Sequence, residues 1–100
     1  MRLGHSVELR AKLTQARLLL RAKGLAAADR AEAILAELRG ACETLGARGL
    51  LPRIDVETAE LARLRGDDAA RERALRKAHR SFSEIGATGH AERLAKELGL

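Results

Sequence analysis

Apolar residues recur along this chain at spacings of three and four, the period of a helix with one face turned inward. Leu9, Leu13, Ala16 and Leu20 form the first such stripe, on a helix predicted from about Ser6 to Lys23. Ser6 is placed to cap its start and Gly24 to end it by a left-handed turn. The second helix is predicted from about Ala27 to Leu45, with Ala31, Ile34, Leu35, Leu38, Ala41, Cys42 and Leu45 inward. Gly40 inside it costs about 1 kcal/mol relative to alanine, which a close helix–helix approach would justify. The third begins near Pro52, whose missing N–H suits a first helical turn. It presents Ile54, Thr58, Leu61 and Ala62, then stops at Gly66. Asp67 or Asp68 caps the fourth, whose stripe is Ala70, Ala74, Leu75, Ala78, Phe82 and Ile85. The fifth is capped by Thr88, shows Ala91, Leu94, Ala95 and Leu98, and ends at Gly99. Connections this short predict consecutive helices packed as antiparallel neighbours.

The chain also repeats itself. Displaced by 40 positions, Glu32 meets Glu72, Leu35 meets Leu75 and Leu45 meets Ile85, and Gly46-Ala47-Arg48-Gly49 meets Gly86-Ala87-Thr88-Gly89. Displaced by 42, Leu19 meets Leu61, Arg21 meets Arg63, Lys23 meets Arg65 and Gly24 meets Gly66. The difference of two is expected in the loop after Gly24. Two helix-turn-helix units of about forty residues and a final helix thus account for the chain, a period that marks α-solenoids. The predicted fold is all-α, a right-handed α-solenoid of antiparallel helix pairs with about five helices. It forms a single domain over residues 1–100, with one repeat at about 6–47, a second at about 51–87 and a terminal helix at about 88–99.

The residues at these seams carry a resemblance. Leu61-Ala-Arg-Leu-Arg-Gly66-Asp67 resembles the turn between the two helices of a tetratricopeptide (TPR) repeat. The stretch from Ala78 through Phe82, Gly86 and Ala87 to Ala91, Leu94 and Ala95 is similar to the end of long-repeat TPR regions. Such regions close many bacterial signalling proteins, among them ATP-dependent transcription activators and nucleotide cyclases. The resemblance spans residues 7–99 and rests on small and apolar positions. The usual aromatics of the first helix are absent, Arg71 stands where a small residue is the rule, and the period exceeds the usual value of about 34. The resemblance implies a protein-interaction or regulatory module in the cytoplasm of a bacterium.

Composition supports helix and narrows the partners. Of the 100 residues, 46% are hydrophobic and 20 are alanine, while Phe82 is the one aromatic apart from histidine. Alanine, leucine, arginine and glutamate favour helix over strand. The net charge is +5, and residues 1–24 account for it with Arg2, Arg10, Lys12, Arg17, Arg21 and Lys23 against Glu8. A basic first helix would steer the chain toward an acidic partner, a nucleic acid or an anionic membrane, or it reflects only an Arg-and-Ala compositional habit. Its acid-poor start has the composition of a mitochondrial transit peptide, but its apolar spacing recurs later in the chain and marks it as structure. There is no secretory core, because Arg17 and Arg21 flank Leu18-Leu19-Leu20 at once, and no membrane-length apolar run. A lone cysteine, Cys42, forms no intrachain disulfide and fits a reducing compartment.

Catalytic signatures are not found. His5, His79 and His90 stand in no metal-binding spacing, so no metal or other cofactor is expected. The paired glycines lack the Lys-Ser/Thr of a phosphate loop and read as helix stops. Ser81 and Ser83 have no base at hand, and Asp67 and Asp68 read as caps. The chain is expected not to be an enzyme.

Two basic stripes remain as candidate interaction surfaces. Arg10, Arg17 and Arg21 share a face of the first helix with Thr14, beside the surplus apolar residue Leu18, and Arg73, Arg76, Lys77 and Arg80 follow one another on the fourth. Glu72 precedes Arg76 by four residues and Glu84 follows Arg80 by four, the spacing of ordinary surface pairs. The expected function is a non-enzymatic protein–protein interaction or oligomerisation module, docking partners on the inner faces of the first and third helices. The alternative is a basic helical nucleic-acid-binding module using both stripes, which the lack of Tyr and Trp for base stacking weakens. A ligand-sensing role rests on the resemblance alone. Because repeats bury their apolar faces by stacking, so few of them imply a homodimer or a neighbouring stretch of a longer array. Leu18-Leu19-Leu20 offers more apolar surface than one stripe needs.

Overall fold

Five α-helices form where the apolar stripes run, and every regular element among the described residues is helical. The computed structural model describes the backbone of residues 2–100 and the side chains of residues 7–100. The helices are α1 (Arg2–Lys23), α2 (Ala28–Leu45), α3 (Leu51–Leu64), α4 (Asp68–Glu84) and α5 (Thr88–Leu98). Short 3₁₀ turns, Gly24–Ala27 and Arg48–Leu50, lead into α2 and α3.

The helix ends differ in detail from expectation. α1 opens at Arg2, so Ser6 lies within the helix instead of at its cap; its side chain and that of His5 fall outside the described side chains. Pro52 sits in the first turn of α3, where no N–H is missed. Asp67 is the cap of α4, its Oδ1 accepting from the Ala70 N–H at 3.0 Å. Thr88 is not a cap. Ala87 holds that position, its N–H donating to the Phe82 carbonyl at 2.8 Å, and Thr88 is the first helical residue.

Ion pairs between helices fix their directions. Arg39 of α2 reaches Asp55 of α3 at 2.6 Å, and Arg65, just past α3, reaches Asp29 at the start of α2 at 2.7 Å. Lys12 reaches Glu37 at 3.5 Å and Arg71 reaches Glu97 at 3.3 Å. Arg71 near the start of α4 meets Glu97 near the end of α5, and Arg65 past the end of α3 meets Asp29 near the start of α2, as antiparallel neighbours require. Lys12 and Glu37 instead pair near the middles of α1 and α2.

The core follows the stripes. Leu9, Leu13 and Ala16 of α1 pack with Leu35, Leu38 and Cys42 of α2 and with Leu50 and Ile54 at the head of α3. Leu20, Ala28, Ala31 and Leu61 close the other end of these three helices. Beyond α3, Ala59, Leu75, Ala78, Phe82, Ala91 and Leu94 join α3, α4 and α5. Fully buried alanines (Ala16, Ala31 and Ala78) let neighbouring helices approach closely, because interaxial distance is set by the side chains at the contact. α3 takes part in all three clusters. It is the central helix, and even its polar residues Asp55 and Glu57 are buried.

Two inward assignments fail. Leu45 and Ile85 are 50% and 53% exposed, because each is the residue before a left-handed glycine, where its helix has run past the neighbours that cover the stripe. Gly40 also lacks the predicted close approach. It is exposed, and a methyl group added there would meet no atom within 4 Å.

The sequence duplication is reproduced as conformation. Gly46 and Gly86 have φ of +74° and +77°, and the alanines that follow adopt φ −82°, ψ 63° and φ −83°, ψ 69°. The Ala47 and Ala87 N–H groups donate back to Cys42 and Phe82, both at 2.8 Å, satisfying a carbonyl that the helix end would otherwise orphan. Gly24 and Gly66 are likewise left-handed, and the two extra residues fall in the 3₁₀ turn after Gly24. The molecule measures 41 × 34 × 19 Å, and its least dimension matches two layers of helices roughly 10 Å across.

Candidate functional site

A groove of about 630 Å³ opens among the described residues, and it is built chiefly from stripes on alternate helices. From α1 come Arg10, Thr14, Arg17 and Arg21, spaced by four, three and four so that all lie on one face. α3 contributes Arg53, Val56, Glu57 and Glu60, and α5 contributes His90, Arg93, Leu94 and Glu97, again at helical spacing. Arg71, Leu75 and Phe82 of α4 close the groove between α3 and α5. α1, α3 and α5 thus each present a stripe to the same groove.

Charge in the groove is strongly basic but not uniform. Six arginines face three glutamates. Two of the glutamates are engaged: Glu97 with Arg71 at 3.3 Å, and Glu60 in a paired contact with Arg63 at 2.9 and 2.6 Å. The Arg63 hydrogen bond holds the Glu60 carboxyl below the usual carboxylate range. Glu57 is different. It is 9% exposed and makes no hydrogen bond or ion pair among the described residues. Burial pushes its pKa up, and Arg17 and Arg21, across the groove on α1, pull it only part of the way back. Arg10, Arg17, Arg21, Arg53 and Arg93 are exposed, and none makes an ion pair among the described residues.

Phe82 is unavailable to a ligand's rings. It is 3% exposed and stacks on His90, with centroids 4.6 Å apart and planes 15° from parallel. Cys42 is fully buried on the far side of α1, and burial raises its thiol pKa against the pull of Arg39, so the unreactive thiol prevails. Asp55 lies between α2 and α3. Its Oδ1 is paired with Arg39, and its Oδ2 is buried with no partner. Among the described residues no three His, Cys, Asp or Glu side chains gather as a metal ion would require, and no helix is long and apolar enough to cross a membrane.

The candidate residues read from sequence fall on three separate surfaces. Arg10, Arg17 and Arg21 line the groove together with Thr14. Leu18 is 58% exposed and lies outside it. Arg73, Arg76, Lys77 and Arg80 are exposed on the other side of α4, where Arg76 pairs with Glu72 at 3.2 Å. Arg76 and Arg80 border only a shallow depression with His79, Ser83 and Leu100. The two basic stripes therefore do not form one surface. Sequence reasoning passed over Arg53, Glu57, Arg93 and Glu97, since each is an ordinary charged residue on its own helix. Arg71 did stand out, as a large residue in a small residue's place, and its ion pair to Glu97 ties α4 to α5. Comparison with known proteins brought no match: no family model, no curated protein and no solved structure matches this chain.

Proposed function

We propose that this chain is a TPR-like α-solenoid module that docks a partner protein in the groove of α1, α3 and α5, without catalysis, as part of a bacterial signalling or regulatory protein. One observation carries the reading: the same groove is lined by a residue stripe from each of α1, α3 and α5. Stacked helical hairpins produce such a surface by construction, because every first helix of a pair faces the same side. The left-handed turn written twice at Gly46 and Gly86 supports the repeat assignment. Self-association belongs to the same reading. Val7, Leu18 and Leu25 are 67%, 58% and 61% exposed, and Val7 and Leu18 are eleven residues apart, three helical turns along one flank of α1.

Retention experiments test this. Proteins retained by the wild-type chain at physiological salt are compared with those retained by Thr14→Arg, Arg17→Glu and Leu18→Glu variants, with light scattering on each. The expected outcome is a protein partner, or a second copy, whose association depends on the groove residues or on Leu18. A strict monomer that retains nothing sensitive to either surface sinks the proposal. For the nucleic-acid alternative either basic stripe could contact phosphates, but the α1 and α4 stripes do not line one groove together, so a combined basic track does not support that reading.

A further inference from the structure

The groove's charges say what kind of segment it fits, granted that it is a protein-docking surface. Arg10, Arg17, Arg21, Arg53 and Arg93 converge from three helices on one concavity, exposed and free of ion pairs among the described residues. Arginine presents a planar fork of donors that matches a carboxylate in two hydrogen bonds, so a row of unpaired arginines is poised for acidic side chains. Holding so many like charges around one groove raises the potential there, which speeds the approach of an anionic segment.

Glu57 sharpens the specification. It lies on α3, the central helix, between the arginines of α1 and those of α3 and α5. A carboxylate arriving directly over it would meet a like charge that is nine-tenths buried and therefore poorly screened. The groups that act on it are charged, Arg17 and Arg21 from α1 and Glu60 one turn along α3, while Leu13, Val56 and Leu94 add apolar surface elsewhere in the lining. A uniformly charged phosphate backbone is badly served by such a surface, since Glu57, Glu60 and Glu97 interrupt the basic track and the one non-histidine aromatic ring is buried. A peptide can place its charges apart.

We propose that the groove binds an acidic segment of a partner protein, its carboxylates held by Arg10, Arg17, Arg21, Arg53 and Arg93, with a neutral residue seated over Glu57. Glu57 is then the specificity residue, setting where along the segment a negative charge is refused.

Fluorescence anisotropy with three labelled peptides tests it. One has acidic ends and a leucine-rich centre; the second carries a glutamate at its centre; the third has the acids of the first replaced by Gln and Asn. An oligo-dT strand is the fourth probe. The first peptide should bind tightest, weaken as salt rises, and lose about tenfold or more in affinity to an Arg17→Glu/Arg53→Glu protein, both sites being exposed. Arg73→Glu/Lys77→Glu, on the outer side of α4, should change binding little. The central glutamate should weaken binding to the wild type and cease to do so in Glu57→Gln. Circular dichroism confirms that each variant is folded. Equal binding of the neutral peptide, tighter binding of the oligonucleotide, or an equal loss in the outer-face variant overturns the acidic-segment assignment. A central glutamate tolerated by the wild type removes the role of Glu57. Docking of the neutral peptide that still depends on the groove arginines would leave the protein-docking reading standing while this inference fails; binding of no peptide, with no groove-dependent partner retained, removes both.

Discussion

Gly40 sits in the interior of α2 with nothing near the place a Cβ would occupy, and its φ is not left-handed. Its cost to the helix is therefore uncompensated. Gly40→Ala is expected to raise stability by about 1 kcal/mol, read as a higher urea midpoint at unchanged slope. Glu57 poses the opposite case, a side chain whose charge the fold disfavours. Its carboxyl is more basic in the folded chain than in the unfolded one, chiefly through burial. The folded state then holds the proton where the unfolded state has released it, so stability falls as pH rises from the ordinary carboxylate range through the raised value. Glu57→Gln should be more stable than wild type at neutral pH, with the advantage shrinking as pH drops below that range. Urea unfolding at a series of pH values checks this, and an advantage independent of pH would contradict it. Glu60 carries the reverse sign: its lowered pKa gives a contribution present above the ordinary range and lost on acidification through the folded value.

At the scale of single elements, α4 depends on the one side-chain cap among the helices whose cap side chain is described. Asp67→Ala removes the acceptor for the Ala70 N–H, with an expected loss of about 1 kcal/mol in the unfolding free energy. The junction of α2 with α3 rests on Arg39 and Asp55, at 2.6 Å and with side chains 28% and 4% exposed. Arg39→Met leaves a buried carboxylate with both oxygens unpartnered and should cost about 3 kcal/mol. Replacing both, with Asp55→Leu, should recover most of that loss, because the pair's attraction offsets little more than its own desolvation. A double-mutant cycle measures the coupling directly.

At the scale of the whole molecule, cover is uneven from the central helix to the outer ones. α3 is covered by neighbours on both sides, while α1 leaves Val7 and Leu18 in solvent. Under the proposed reading that flank is where another copy or another repeat packs. Leu18→Glu should leave the unfolding free energy within about 0.5 kcal/mol of wild type, as surface substitutions do. It should also lower the weight-average mass seen by light scattering at high protein concentration. A mass that does not change with Leu18→Glu places any self-association elsewhere. The groove belongs to this scale too, since it takes side chains from α1, α3, α4 and α5 at once.

Local chemistry decided much of this protein in advance. The apolar spacing of Leu9, Leu13, Ala16 and Leu20, and of Leu75, Ala78 and Phe82, specified both the helices and the faces they bury, since burial of a regular stripe is what stabilises each one. The repeated Gly-Ala step specified the turns, because a left-handed residue at a helix end favours glycine wherever it occurs. Helix starts were less legible: α1 already runs from Arg2, ahead of Ser6, and before Thr88 the Ala87 N–H bonded back to Phe82, not a side chain, sets the boundary. The exposure of Gly40, Leu45 and Ile85 could not be read at all, because it depends on where a neighbouring helix happens to end. The groove is the clearest case. Arg17, Arg53, Glu57 and Arg93 are common surface residues in sequence, on three different helices, and only the packing of those helices brings them around one cavity. Charge acts through distance in space, and the sequence supplies only distance along the chain.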